Sequence, residues 1–182
     1  MSATPSKRRF FSRLGAVWLL TLALVAGSAV VPSIEAPAEA ATSKAISVLK
    51  TLAVKGRAPK TGYSRDLFSS GWGDIGSCDT RNYILKRDLK GIVWRAGETC
   101  IVESGTLHDP YTGTTINFVR GVSTSYKVQI DHVVAVSDAW QKGAQKLSSS
   151  EKYSFYNDPL NLLAVDGPTN GQKSDSDAAS WL

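Results

Sequence analysis

The sequence predicts an α+β fold, with a β-hairpin and further short strands flanked by helices. Three observations carry this. Residues 128–135 (VQIDHVVA) read as a strand in which β-forming residues lead into an Asp-His pair. Residues 99–104 and 114–119 are β-rich runs, and Asp109-Pro110-Tyr111-Thr112-Gly113 between them is a turn. Pro presets one φ of such a turn and Gly accepts a positive one. Residues 79–89 (DTRNYILKRDL) instead place Ile84, Leu85 and Leu89 at helical spacing.

The chain has 182 residues, with Lys+Arg 21, Asp+Glu 16 and 42% hydrophobic content. That suits one globular domain, residues 41–182, behind an N-terminal appendage. The appendage, residues 1–40, has the form of a signal peptide. Lys7, Arg8, Arg9 and Arg13 form a basic start, and residues 14–31 are apolar and uncharged. Ala36-Pro37-Ala38 and Ala38-Glu39-Ala40 offer small-x-small cleavage sites. The apolar run is about long enough to span a bilayer, so a membrane anchor is the rival reading. The small residues and the Pro-Ala exit favour cleavage and secretion, without stable membrane association. Arg8-Arg9 leaves twin-arginine export open as the route. Removing residues 1–40 leaves 17 basic against 14 acidic side chains, a formal net charge of +3. That is compatible with an anionic partner and does not prove one.

Residues 41–54 carry Ile46, Leu49, Leu52 and Ala53 on one helical face, capped by Thr42 or Ser43. Residues 55–62 are a polar connection. Tyr63, Phe68 and Trp72 follow as packing aromatics. Arg65 among them has two partners open to it, a carboxylate such as Asp66 or a phosphate. On the helix over 79–89, Arg81, Lys86 and Arg87 are expected on exposed faces. They are either a solvated basic face or one that tracks phosphate, with Arg81 and Arg87 as the substrate-binding candidates. His108, just before the hairpin turn, is a weak supporting candidate. Residues 137–143 and 149–156 read as two short helices, the second stopped by Asn157-Asp158-Pro159. Trp140, Tyr153, Phe155 and Tyr156 are expected to supply core. A buried strand over 161–165, a turn and a helix start follow, and residues 176–182 begin another helix.

Cys78 and Cys100 are the two cysteines. An even count in an exported chain reads as one disulfide. It would close a loop of about twenty residues, worth ~3 kcal/mol in the chain-entropy picture. The rival is a zinc site, but no CxxC pair exists and His108 and His132 are the sole histidines.

Asp131-His132 on the first strand, Asn161 opening the second, and Asn170-x-x-Lys173 after it resemble the HNH, or ββα-metal (His-Me finger), nuclease motif over about residues 126–176. The phrases "IDHVVAVSDAWQKGA" and "NDPLNLLAVDGPTNGQKSDSDAASWL" are similar to secreted HNH proteins of actinobacterial type, relatives of the nuclease part of GmrSD-type restriction enzymes. "YSRDLFSSGW", "CDTRNYILKRDL" and "SGTLHDPYTG" extend the resemblance to roughly residues 62–182.

The resemblance implies a ββα-metal core and hydrolysis of phosphodiester bonds. Asp131 would bind a divalent ion, and Asn170 would be its second ligand. His132 would be the general base, since a neutral imidazole suits proton abstraction near neutrality. Asn161 would tie the backbone so that His132 is aimed. Lys173 would meet a phosphate oxygen. An Asp and Asn oxygen set suits a hard ion: Mg²⁺ first, then Mn²⁺ or Ca²⁺. The partner implied is DNA, with RNA as a second substrate, and the protein would be a monomer. Family members usually run on past "WL", which implies a longer C-terminus. Two other classes compete: a secreted nucleic-acid-binding module without catalysis, and a disulfide-stapled surface protein that binds another protein.

Overall fold

A computed structural model describes residues 36–181, with side-chain surroundings from residue 44 onward. The leader-like basic start and apolar run lie outside the described residues. The chain divides after Leu52. In the first unit, α1 (Ala36–Thr51) covers most of the helix expected over 41–54 and begins earlier, within the Pro-Ala exit. Among the described residues no helix is long and apolar enough to cross a membrane.

The second unit, Ala53–Leu182, carries the remaining elements. Its first part is a strap over residues 57–72, which contains a short 3-10 turn at Arg65–Leu67. Two short strands, β1 (Asp74–Ile75) and β2 (Cys78–Asp79), pair and lead into α2 (Thr80–Asp88). Asp79 caps α2 by accepting from the Asn82 backbone N–H, which satisfies one of the orphan donors of the first turn. Three antiparallel strands follow in the order β3 (Leu89–Trp94), β4 (Val102–His108) and β5 (Thr115–Val119). The hairpin between β4 and β5 is the one the DPYTG turn signals, and Gly113 takes φ +69°.

The disulfide joins Cys78 to Cys100 with Cα atoms 5.2 Å apart. It ties the chain entering α2 to the chain entering β4. The first hairpin strand starts at Val102 rather than at residue 99, because Cys100 is drawn to this link. Strand β3 is an addition to the predicted elements. Leu89 leaves the helix as its C-cap, in extended backbone, and becomes the first residue of β3.

The last part is an antiparallel pair, β6 (Val128–His132) and β7 (Leu162–Asp166), in register Val128↔Asp166 to His132↔Leu162. Between the two strands lie α3 (Val136–Gln141) and α4 (Ser149–Tyr156). Ser148 and Glu151 form a capping box at the start of α4. Helix α5 (Gly167–Lys173) follows β7 directly, capped by Asp166. A short α6 (Ala178–Trp181) ends the described chain. Gly167 is required where α5 begins, since a Cβ there would collide with the Tyr126 carbonyl.

Two apolar cores hold this unit. Ile84, Leu85 and Leu89 pack on Val102, Leu107 and Phe118 and on β6 and β7. Phe68, Val136, Ala139, Trp140 and Tyr156 form the second core. Trp72 packs against both. Of the expected core aromatics, Tyr153 departs and stays exposed at 46%.

Candidate active site

Strand β6 ends on two side chains that point to opposite faces, as neighbours on a strand must. His132 goes into the aromatic wall between the cores. Its ring stacks on Trp72 at 5.6 Å between centroids and 11° between planes. The Tyr156 ring closes another side at 4.6 Å. His132 Nε2 lies 2.8 Å from the Tyr156 carbonyl oxygen. A carbonyl can only accept, so Nε2 carries the proton and Nδ1 carries the lone pair. That Nδ1 faces Arg65 Nη2 at 3.5 Å. Burial pushes the His132 pKa down to about 4, against the pull of the Tyr156 carbonyl; the charges of Arg65 and Lys173 add to the fall. The imidazole is therefore neutral near pH 7.

Asp131 takes the other face and is equally buried. Its carboxylate accepts from the Tyr111 hydroxyl at 2.5 Å. Lys173 Nζ approaches both oxygens, at 3.1 and 3.0 Å. The same ammonium donates to the His132 carbonyl at 3.0 Å. Lys173 thus lies 4% exposed beneath the strand end. The expected contact of Lys173 with a phosphate oxygen is corrected: its donors are spent on Asp131 and the His132 carbonyl. A buried carboxylate tolerates its surroundings only with such a partner. Burial, followed by Asp131, raises the Tyr111 pKa, so the phenol stays protonated and donates.

Helix α5 brings Asn170 to the same region. Its Nδ2 donates to Gln129 Oε1 at 2.8 Å, which holds the amide in place. Asn161 acts on the loop after β6. Its Oδ1 accepts from Val134 N at 2.8 Å, its Nδ2 donates to Val134 O at 3.2 Å, and its own carbonyl accepts from Val133 N at 2.9 Å.

Asp131, His132 and Asn170 line one cavity of about 390 Å³. Lys60, Tyr63 and Arg65 from the strap complete its walls, with Ser137, Ser174 and Asp175 opposite. Ser174, at the end of α5, holds φ +53° and ψ −122°, a strained conformation for a residue with a Cβ. It turns the chain so that Asp175 meets Lys60 at 2.9 Å and Ser137 at 2.9 Å.

Arg81 and Arg87 are not brought to this cavity; Arg87 is exposed as expected, whereas Arg81 is half-buried. Arg81 donates to the Val128 carbonyl at 3.1 Å, and burial, then Arg120, lowers its pKa. Arg87 donates to the carbonyls of Pro159 and Leu162 and to Asp88. Both guanidiniums lash α2 to the β6–β7 region. Lys86 stays exposed. His108 bonds Thr115 at the end of β4 and lines no part of the cavity.

The donor set is compatible with a hard cation. Asp131 and Asn170 both line the cavity, and a carboxylate with an amide oxygen is the ligand chemistry of Mg²⁺, Mn²⁺ or Ca²⁺. Among the described residues no group of three or more His, Cys, Asp or Glu could hold a metal. An ion here would share Asp131 with Lys173 and rely on water and substrate for the rest of its shell.

Sequence reading missed Tyr111, Lys60, Tyr63 and Ser137 as parts of this site. Tyr111 stands in the DPYTG turn, three positions after His108. The turn signal was visible; the side chain's aim at Asp131 was not.

The family described as GmrSD restriction endonucleases, C-terminal domain, matches residues 79–182. An uncharacterized secreted protein of Arthroderma benhamiae is 37% identical over 141 residues, covering 76% of this chain. The chain spans 65% of that protein's length. No solved structure matches the chain. Asp131, His132, Asn161, Asn170 and Lys173 all fall inside the matched segment, and the chain belongs to the family of GmrSD restriction endonuclease C-terminal domains.

Proposed function

We propose that this protein is a secreted, metal-dependent HNH-type endonuclease that hydrolyses phosphodiester bonds of DNA, with RNA as a second substrate class. The observation that carries the reading is the convergence of Asp131, His132 and Asn170 on one cavity. Family membership supports a nuclease role. The leader-like N-terminus and the relative's description as secreted support export.

His132 is the general base. Its Nδ1 lone pair takes a proton from a water that attacks phosphorus. Nε2 keeps its proton and donates it in a hydrogen bond to the Tyr156 carbonyl, which steadies the imidazolium once formed. Burial keeps the ring neutral and ready at neutral pH. Asn161 pins Val133 and Val134, so the strand end that carries His132 cannot swing. Tyr111 and Lys173 fix Asp131, which with Asn170 would hold one divalent ion. Such an ion supplies charge neutralisation on the phosphate and on the leaving oxygen.

The test is a plasmid-nicking assay. Supercoiled DNA is incubated with the protein and Mg²⁺, Mn²⁺, Ca²⁺ or Zn²⁺, each with and without EDTA. Nicking with Mg²⁺ or Mn²⁺ that EDTA stops is the expected result. Folded protein that leaves DNA and RNA intact under all four ions would sink the reading.

A further inference from the structure

The cations around the cavity differ in one respect. Lys60 is paired with Asp175, and Lys173 with Asp131. On the neighbouring helix, Lys142 is paired with Asp138 and Asp177, and Asp138 also takes Arg57. Arg65 has no carboxylate within 4.0 Å among the described residues, although Asp66 adjoins it in sequence. Its Nε donates to the Tyr156 hydroxyl at 3.1 Å, and its guanidinium lies over the Tyr156 ring at 5.0 Å. These two contacts fix the plane of the group. Arg65 is exposed and lines the cavity, with Nη2 3.5 Å from the lone-pair nitrogen of His132.

A guanidinium is always charged, and its two Nη groups form a fork that matches two oxygens of a phosphate. Here the fork is oriented beforehand and its anion is missing from the chain itself. Resting on the nuclease reading, we propose that Arg65 binds the scissile phosphodiester, gripping a non-bridging oxygen while His132 activates the water beside it. The strap that carries Arg65 lies upstream of residues 79–182. The family match therefore omits a substrate-binding residue. The alignment to the Arthroderma benhamiae protein spans more of the chain than the family match and so reaches upstream of residue 79.

Arg65→Gln keeps a donor for Tyr156 and removes the charge. Arg65→Lys keeps the charge and removes the fork. His132→Ala serves as the comparison. Binding of a fluorescent oligonucleotide is followed by anisotropy in EDTA across a range of salt, and cleavage is followed by plasmid nicking with Mn²⁺. Arg65→Gln should bind roughly tenfold more weakly at low salt and lose about one unit from the slope of log affinity against log salt. Arg65→Lys should regain that slope yet stay about a hundredfold slow in cleavage, the usual cost of losing an oriented donor to a developing charge. His132→Ala should lose cleavage and keep wild-type binding and slope.

A folding defect in Arg65→Gln would lower affinity without changing the slope, and that pattern overturns the proposal. Unchanged affinity and slope in Arg65→Gln overturn it too, whether or not the wild type cleaves. A wild type that cleaves nothing but shows the Arg65-dependent slope keeps the phosphate contact and removes the nuclease reading instead.

Discussion

His132 Nε2 and the Tyr156 carbonyl oxygen, 2.8 Å apart, fix the tautomer of a buried imidazole and leave its lone pair on the cavity side. His132→Ala should therefore cut cleavage by roughly two to four orders of magnitude. Oligonucleotide binding should persist, because phosphate contacts come from cations elsewhere. Initial rates of plasmid nicking against enzyme concentration measure the first effect. Near-normal turnover in the variant would move the base to another group.

The same burial gives folding stability a pH dependence of known sign. The His132 pKa is about 4 when folded and 6.5 when exposed, so the unfolded chain takes the proton first as pH falls. The stability this group contributes is complete above pH 6.5, declines between 6.5 and about 4, and levels off below. The full span is about 3 kcal/mol. Urea unfolding of wild type and His132→Asn at pH 7.5 and pH 4.5 isolates it, since carboxylate effects cancel in the difference. Parallel losses in the two proteins would remove His132 as the source.

Asp131 and Lys173 form a buried pair, so removing one member strands the other. Asp131→Ala should cost about 3 kcal/mol, and adding Lys173→Met should recover much of it. Titration calorimetry with Mn²⁺ should show ion binding abolished in Asp131→Ala. Asn170→Ala, which removes the neutral member of the proposed pair of ligands, should weaken it less. Equal Mn²⁺ affinity in wild type and Asp131→Ala would take the ion away from this carboxylate.

The link between Cys78 and Cys100 closes the segment that holds α2 and β3. Under non-reducing conditions the intact mass should be two protons below that of the reduced chain. Reduction, or the Cys78→Ser/Cys100→Ser pair, should lower stability by about 3 kcal/mol. Ready alkylation of both thiols in native protein would contradict the bond.

What sequence reading captured was local. Ile84, Leu85 and Leu89 announce α2 through their spacing, and the DPYTG turn announces the β4–β5 hairpin. The β6 and β7 strands follow from their β-forming runs and the turns around them. What it missed depends on contacts distant in sequence. Tyr111 reaches Asp131 across 20 positions and Lys173 across 42. Nothing in the local pattern marks Lys173 as buried; a lysine in a polar turn reads as exposed. The carbonyl partners of the exposed Arg87, at Pro159 and Leu162, are hidden from a local reading too, since they lie more than 70 positions away. Strand β3 was lost because Leu89 serves both as the end of a helical pattern and as the first residue of a strand.

The strap over residues 57–72 bears on how portable this site is. Arg57 is bonded to Asp138, Ala58 to Gln141, and Phe68 is sealed into the second core. Trp72 supplies the flat surface under the His132 ring. A polypeptide begun at residue 79 would carry Asp131, His132 and Asn170, yet His132 would lose its stacking partner and open to solvent. The region that similarity delineates is thus not self-sufficient: grafting or expressing it by itself would transfer the reactive groups without the wall that tunes them.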